Sequence, residues 1–141
     1  MSDKNAIMQV VGCLMKNPVI LADSKYIITK NDFDLPLAKN IFLAIEDLFK
    51  GYSAESITVT DIDNYFQQVE GSYENFKAQN GQQYLEDCLV LSNINTFDFY
   101  YNRMKKLSAL RALKKDGFDI TKIYNEKEID IQRDIFWNKF I

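Results

Sequence analysis

The chain has 141 residues, 47% of them apolar and 26% charged, which is enough for one folded unit with an apolar core. Its formal net charge is −3, whereas a domain that binds mainly through phosphate contacts is usually basic. No apolar run is long enough to span a bilayer, and the N-terminus lacks the apolar block of a signal peptide. We therefore expect a cytoplasmic protein with no membrane partner.

Several residue types that carry chemistry are missing. The chain has no histidine, which removes the commonest general base and most zinc sites. It also lacks a G-x-x-x-x-G-K-[ST] loop, so it has no backbone cradle for a nucleoside triphosphate. Cys13 and Cys88 stand far apart in apolar patterns, which predicts buried core thiols. We predict no catalytic residue, no metal site and no cofactor in this chain.

The first third of the chain predicts two helices joined by an irregular segment. Ser2 is a candidate N-cap for a first helix, which should end at Asn17-Pro18 because proline disfavours a helical residue before it. A short helical turn is expected over 19–26. The next helix should begin at Pro36, show apolar residues along one face, and stop at Gly51.

The middle of the chain predicts two shorter helices. Thr60 and Asp63 have the spacing of a capping box and predict a helix start that is followed by a buried stripe. The polar stretch 72–83 predicts a loop with a single helical turn near 74–77. A further helix is expected over 82–91.

The last third predicts a pair of helices. The longest helix should cover about 96–115, and a second should begin after an Asn125 cap and run to the end. Joined by a short connector, these two helices would form an αα-hairpin. The prediction is an all-α protein, with a compact head of about five helices (1–94) and a C-terminal helical hairpin (95–141).

The predicted hairpin is apolar on more than one face. One stripe of its first helix can pack on the second helix, but the remaining apolar residues have no obvious place inside a two-helix hairpin. Surplus apolar surface usually marks an interface, so we predict that copies of the chain share it. The alternative is that the head covers it. The predicted oligomer interface consists of Phe97, Tyr100, Tyr101, Met104, Leu107, Leu113, Ile131, Ile135 and Phe136.

The same long helix carries a basic stretch, which comprises Arg103, Lys105, Lys106, Arg111, Lys114 and Lys115. Cations near a helix C-terminus are favoured by the helix dipole, so a solvated face explains most of the stretch. The functional alternative is weak contact with nucleic acid or with an acidic partner. Its candidate residues are Arg103, Lys106, Arg111 and Lys114.

Two further groups could be interpreted as ligand sites. Asp32 with Asp34, and Asp61 with Asp63, could be metal-binding carboxylates, but their spacing points the groups apart on a helix, and capping explains them better. A cluster of aromatic residues could stack on bases, but core packing is the better explanation. This cluster comprises Tyr65, Tyr73, Phe76 and Tyr84.

Six segments, in chain order, resemble the N-terminal domain of the bacterial and phage DnaB family of replicative DNA helicases. Each alone is a pattern of ordinary core residues, but their order and spacing over about residues 6–140 make the resemblance specific. The segments are 11–15 (family pattern L-G-x-L-M), Asp32-Phe33 (D-F), 40–48 (H-I-F-x-A-I-x-x-L, with Asn40 in place of histidine), 57–59 (I-D-L/V), Gly81 with Tyr84-Leu85 (G-x-x-Y-L) and 102–117 (the first hairpin helix).

The chain departs from the family pattern in two places. Asn5 and Ile7 stand where the family usually has glutamates, and the region 71–80 looks longer than usual. These departures indicate a divergent member, from a phage or a mobile element.

The resemblance implies a role in DNA replication and primosome assembly. The parent protein would be a hexameric helicase whose RecA-like motor, absent from this chain, binds ATP and magnesium. The N-terminal domains would pair through their hairpins into a ring of three dimers around DNA, and this collar would contact primase and, in some systems, a helicase loader. The apolar C-terminal end is unusual for a natural terminus, so we expect the chain to be part of a longer protein.

The resemblance leads us to expect a non-catalytic oligomerisation and docking domain in the bacterial cytoplasm, encoded by host or phage. One alternative is the helicase-interacting C-terminal domain of a primase, which is similar in shape. Another is a small stand-alone DNA-binding or loader-like protein, which the acidic balance disfavours.

Overall fold

The computed structural model describes residues 2–117, which form six α-helices and no strand. The all-α prediction is therefore confirmed for this part of the chain. The predicted second hairpin helix and its Asn125 cap lie outside the described residues, so the hairpin stays a prediction. The helices are α1 (Lys4–Lys16), α2 (Pro36–Tyr52), α3 (Val59–Gln68), α4 (Ser72–Ala78), α5 (Gly81–Leu91) and α6 (Phe97–Lys115), with 3-10 helices at Pro18–Ala22, Lys30–Asp32 and Ile94–Thr96.

The first helix begins one residue later than predicted. Asp3 is its N-cap, because the Asp3 carboxylate accepts a hydrogen bond of 3.0 Å from the Ala6 amide. Ser2, the predicted cap, instead donates its hydroxyl to Asp34 at 3.0 Å. The helix ends at Lys16, directly before the predicted Asn17-Pro18 stop.

The second helix begins at Pro36 as predicted but continues past Gly51. Its end is set by Ser53, which has a φ of 54° and whose amide bonds to the Phe49 carbonyl oxygen at 2.8 Å. A left-handed residue after the last helical turn is the usual way in which a helix closes its final carbonyls. The helix therefore ends at a left-handed serine and not at the predicted glycine.

The start of α3 was predicted two residues too late. The capping box is formed by Thr58, whose hydroxyl accepts from the Asp61 amide at 3.1 Å, and Asp61, whose carboxylate accepts from the Thr58 amide at 2.9 Å. Two overlapping T-x-x-D patterns exist, and Asp63 of the second is buried instead of capping. The helix ends at Gln68.

The structure has a helix of seven residues, α4, where the sequence predicted a loop that contains one helical turn. Gly71 precedes it with a φ of 80°, a conformation that glycine adopts without strain. Phe76 gives this polar helix its anchor, because its buried ring stacks on Phe66 at 4.7 Å between centroids. Because Phe76 is the one buried residue of α4, the sequence of this helix shows little apolar periodicity.

Helix α1 lies at the centre of the head and packs against α5, α6 and α2. At Gly12 the backbones of α1 and α5 are so close that an added Cβ would lie 2.2 Å from the Cys88 carbonyl oxygen. Cys13 and Cys88 are fully buried and free, which confirms the prediction of core thiols. Burial raises the pKa of the Cys88 thiol to about 12, so it stays neutral.

The core continues into the first half of α6. Phe97, Tyr101 and Met104 belong to the same buried cluster as the residues of α1 and α2. The apolar core therefore crosses the predicted boundary between residues 94 and 95. Among residues 2–117, no helix combines the length and apolar character needed to cross a bilayer.

Candidate functional site

The predicted interface residues on α6 are largely covered within one chain. Phe97, Tyr101, Met104 and Leu107 are buried. The head covers Phe97 and Tyr101, as the alternative to a shared interface requires, because Tyr26 meets both rings edge-on at 5.0 and 5.1 Å. These four residues thus offer no free apolar surface in the described conformation.

The other predicted interface residues are less covered or not described. Tyr100 and Leu113 are half-buried on α6. Ile131, Ile135 and Phe136 lie outside the described residues. Association of copies through the hairpin stays a prediction.

Exposed apolar side chains concentrate near the junction of α5 and α6. We call four of them the corner residues: Val90, Leu91, Ile94 and Phe99. The sequence analysis did not predict a role for them, because single apolar residues at the end of one helix and the start of another show no common periodicity. Exposed apolar groups of this size near one junction are candidates for contact with another molecule.

The cations of α6 hold the helix against the head. Arg103 forms an ion pair with Asp3 at the start of α1. Lys105 places its Nζ 3.0 Å from Asp32, a pair whose side chains are only 16% and 3% exposed. Arg111 donates to the Asp32 carbonyl oxygen at 3.2 Å. The interpretation of this stretch as a solvated face is wrong for these three residues.

The remaining predicted contact residues differ from one another. Lys106 is buried, which does not suit a surface that meets nucleic acid. Lys114 is exposed in the last turn of α6, where the helix dipole favours a cation.

A loop segment over residues 25–32 supplies several polar partners of α6. Lys25 pairs with Asp98 at 3.1 Å, and Tyr26 donates its hydroxyl to the same carboxylate. The Tyr101 hydroxyl oxygen accepts from the Ile27 amide at 2.9 Å. Sequence reasoning missed this segment because its contacts join residues more than seventy positions apart.

Two carboxylates at this junction have lowered pKa values. Burial would raise the pKa of Asp3, but the Ala6 amide and Arg103 hold it below its ordinary value of 3.8. The hydrogen bond from Tyr26 is the largest cause that lowers the pKa of Asp98, with Lys25 adding to it. Both groups therefore stay ionised near neutral pH and keep their cationic partners.

The predicted capping carboxylates divide into two kinds. Asp61 caps α3, and Asp32 closes a capping box with Thr29, accepting from its amide at 2.8 Å. Asp34 and Asp63 do not cap, so that part of the prediction was wrong. Among residues 2–117, no group of three candidate ligands could hold a metal ion.

Asp63 joins two helices through buried hydrogen bonds. It is 6% exposed and accepts from the side-chain amides of Gln67 on α3 and Gln82 on α5, both at 2.6 Å. Burial would raise the pKa of Asp63, but these hydrogen bonds hold it below its ordinary value. The arrangement ties α3 to α5 and serves no visible chemistry.

The aromatic cluster is packed, as predicted. Phe66 and Phe76 are buried and stacked, Tyr65 meets Phe66 edge-on at 5.6 Å, and Tyr73 stacks on Phe76 at 6.4 Å. Tyr84 is half-buried in the core between α5 and its neighbours. These rings are therefore not a platform for bases.

A groove runs between α2 and α3 and reaches α4; we call it the α2–α3 groove. One end, which we call the apolar end, has Leu37, Leu43 and Phe66 in its lining beside the polar Asn40 and Asn75, and the acidic end is lined by Asp47 and Asp61. Tyr65 and Val69 line both ends, so the two depressions adjoin. The sequence did not predict this feature, because it arises from the crossing of two helices and not from a motif.

Comparison with known proteins finds one phage-derived relative. The chain is 38% identical, over 131 residues, to the SPbeta prophage-derived uncharacterized protein YorI of Bacillus subtilis (strain 168). The match covers 92% of this chain but only 26% of that protein, so the chain spans about a quarter of its relative's length. No protein-family model matches the chain. No solved structure matches it either.

Proposed function

We propose that this chain is the non-catalytic N-terminal domain of a DnaB-type replicative helicase from a phage or prophage. In this role it would oligomerise and dock primase or a loader during DNA replication and primosome assembly. It would act in the bacterial cytoplasm, without a cofactor of its own. ATP and magnesium would bind to a motor elsewhere in the parent protein.

The observation that supports the proposal best is the position of two motif glycines. Gly12 of the L-G-x-L-M segment and Gly81 of the G-x-x-Y-L segment each lie where an added Cβ would come within 2.2 Å of a neighbour, Cys88 in one case and Phe76 in the other. The residues that carry the resemblance are thus those that the helix packing requires. This is expected if the chain shares the packing of the family and not only its composition.

Several other motif residues are buried as well. The whole 11–15 segment is buried on α1, as are Ile41, Phe42 and Ile45 on α2, and Leu85 on α5. A chance similarity of surface residues would not select the core in this way.

The length of the relative also supports a modular protein. About three quarters of that prophage protein lies outside the match. A helicase motor and its linker would need a region of that kind. The phage-derived source of the relative agrees with the divergence of the motifs.

Self-association would bury the corner residues, since Phe97, Tyr101, Met104 and Leu107 are already covered. Val90 and Phe99 are 84% and 62% exposed, so both could contact another copy without opening the core. The intramolecular contacts of Arg103, Lys105 and Arg111 disfavour a stand-alone DNA-binding function, because these cations already have head partners.

A binding experiment tests the proposal directly. The chain would be titrated with the purified C-terminal domain of the primase from the same genome, by calorimetry, while its mass is followed by light scattering. We expect saturable binding, a dimer or larger species at high micromolar concentration, and no ATP hydrolysis. A monomer that ignores this primase domain, or turnover of ATP, would contradict the proposal.

A further inference from the structure

The α2–α3 groove combines an apolar end with an acidic end. At the acidic end the exposed carboxylates Asp47 and Asp61 lie near Tyr52, which is 81% exposed. Among the described residues that line the groove, none is a lysine or an arginine. Its lining is therefore negatively charged at one end and carries no formal charge at the other.

The walls of the groove are already fixed without a ligand. Tyr65 on α3 donates its hydroxyl to Asp47 on α2, which ties the two walls together. The stacked rings of Phe66 and Phe76 support the apolar end from below. A preformed groove does not need to be ordered when a partner binds, which lowers the cost of association.

Apolar groups at the groove remain uncovered in the single chain. Val69 is 40% exposed and Tyr52 is 81% exposed, and the two side chains line the same acidic end. Covering them would contribute favourably to binding, since each removes apolar surface from water. The groove thus offers both apolar contact and charge.

We propose that the α2–α3 groove binds an amphipathic helix of a partner protein that presents an apolar stripe with Lys or Arg at one end. The inference rests on the docking part of the proposed function. The apolar stripe would lie against Leu37, Leu43 and Val69, and the cation would meet Asp47 and Asp61. A groove between two helices commonly accepts a third helix in this way.

A second copy of the chain suits the groove less well than a different protein. The chain has a net charge of −3, so two copies repel at an acidic surface. Arg103 and Lys105 of α6 already pair with Asp3 and Asp32 of their own chain. A basic partner can bring its own cation to the groove, whereas a second copy would have to break one of these ion pairs to use Arg103 or Lys105.

The test uses a matched set of variants. In the groove variant, Asn64→Lys and Gln68→Lys add two cations to the acidic end, at exposed positions of α3 that line it. In the control variant, Asn95→Lys and Asn102→Lys likewise add two cations, at exposed positions outside the groove. Thermal unfolding of the three proteins shows whether each variant keeps the fold.

The probe is a set of peptides selected for binding from a random display library against the full chain. We expect selected peptides with apolar residues at helical spacing and a net positive end, and amide chemical shifts that change along α2 and α3. The groove variant should bind them roughly tenfold or more weakly, since it places like charges within one Debye length, while the control variant binds normally. Neutral or acidic peptides, equal binding by the groove variant, or shifts confined to the corner residues would overturn the inference.

A second titration separates this inference from the proposed function. The primase C-terminal domain would be added to the wild-type chain and to the groove variant. If primase binds both equally, the docking function stands and the groove is not its site. If peptides select the groove but primase binds neither protein, the groove stands and the helicase assignment fails.

Discussion

Helices α1 and α6 are both attached to the head, but by different forces. Helix α1 is held by buried apolar side chains and by a backbone approach at Gly12 that leaves no room for a side chain. Helix α6 adds ion pairs to its apolar contacts, through Arg103 and Lys105. Apolar contacts respond little to pH or salt, whereas ion pairs respond to both, so only the attachment of α6 is electrostatically adjustable.

The largest effect is expected for Gly12→Val. The valine side chain would collide with the Cys88 backbone and with Ser92, which forces α1 and α5 apart. We expect a loss of about 3 kcal/mol in the free energy of unfolding, measured by urea denaturation, since overpacking in a rigid core has costs of this size.

Gly51→Ala is the matched control for that substitution. Gly51 lies near the end of α2, and an added Cβ would meet nothing within 4 Å. Alanine is the better helix former, so stability should rise by about 0.5 kcal/mol. Similar losses in both variants would show that α1 and α5 do not approach as described.

The next effect in size is expected for Lys105→Met. This change keeps the apolar stem but leaves the Asp32 carboxylate, 3% exposed, without its cation. Breaking a fully buried pair typically costs about 3–5 kcal/mol; because Lys105 keeps some solvent contact, we expect about 2 kcal/mol in urea denaturation.

The exposed pair of Lys50 and Glu46 on α2 provides the comparison. Lys50→Met should change stability by less than about 0.5 kcal/mol, as is usual for surface pairs. If the free energy of unfolding falls by the same small amount in both methionine variants, α6 is held by its apolar residues alone and does not differ from α1 in this respect.

A smaller loss of stability is expected when Asp63 is protonated at low pH. Its pKa is lowered in the folded state, so its contribution to stability is present above pH 3.8 and is lost as the pH falls through the folded pKa. Urea denaturation from about pH 7 to about pH 3 should show a shallower acid loss for Asp63→Asn than for the wild type. Glu70→Gln, at an exposed position, should follow the wild-type curve. Parallel curves for all three proteins would show that Asp63 is not stabilised by its glutamine partners.

The sequence predicted most helices because their signals are local. The apolar stripes of α1, α2 and α5, and the proline at the start of α2, act within a few residues of one another. The sequence missed α4 because it depends on Phe76 finding Phe66 across a turn. It also placed the α3 capping box on Thr60 instead of Thr58, because two identical patterns overlap and only tertiary packing selects between them.

The site was harder to predict than the fold, for a physical reason. A helix that is apolar on more than one face, such as α6, must be covered, but its own sequence cannot say whether the cover comes from the same chain or from another copy. Here Tyr26, from a segment without periodicity, covers Phe97 and Tyr101. Whether the cover comes from the same chain therefore depends on a contact between residues that are distant in the sequence.

We expect the smallest effect for Tyr101→Phe, which tests whether the loop segment over residues 25–32 binds α6 through the Tyr101 hydroxyl. It removes the hydroxyl that accepts from the Ile27 amide at 2.9 Å but keeps the ring against Tyr26. We expect a loss of about 1 kcal/mol in the free energy of unfolding, and faster hydrogen exchange at the Ile27 amide. Tyr100→Phe, at a half-buried neighbouring position, should leave both quantities unchanged. Unchanged exchange at Ile27 in Tyr101→Phe would mean that the loop segment does not bind α6 through this hydroxyl, so that its contact with α6 would depend on the ring of Tyr26 instead.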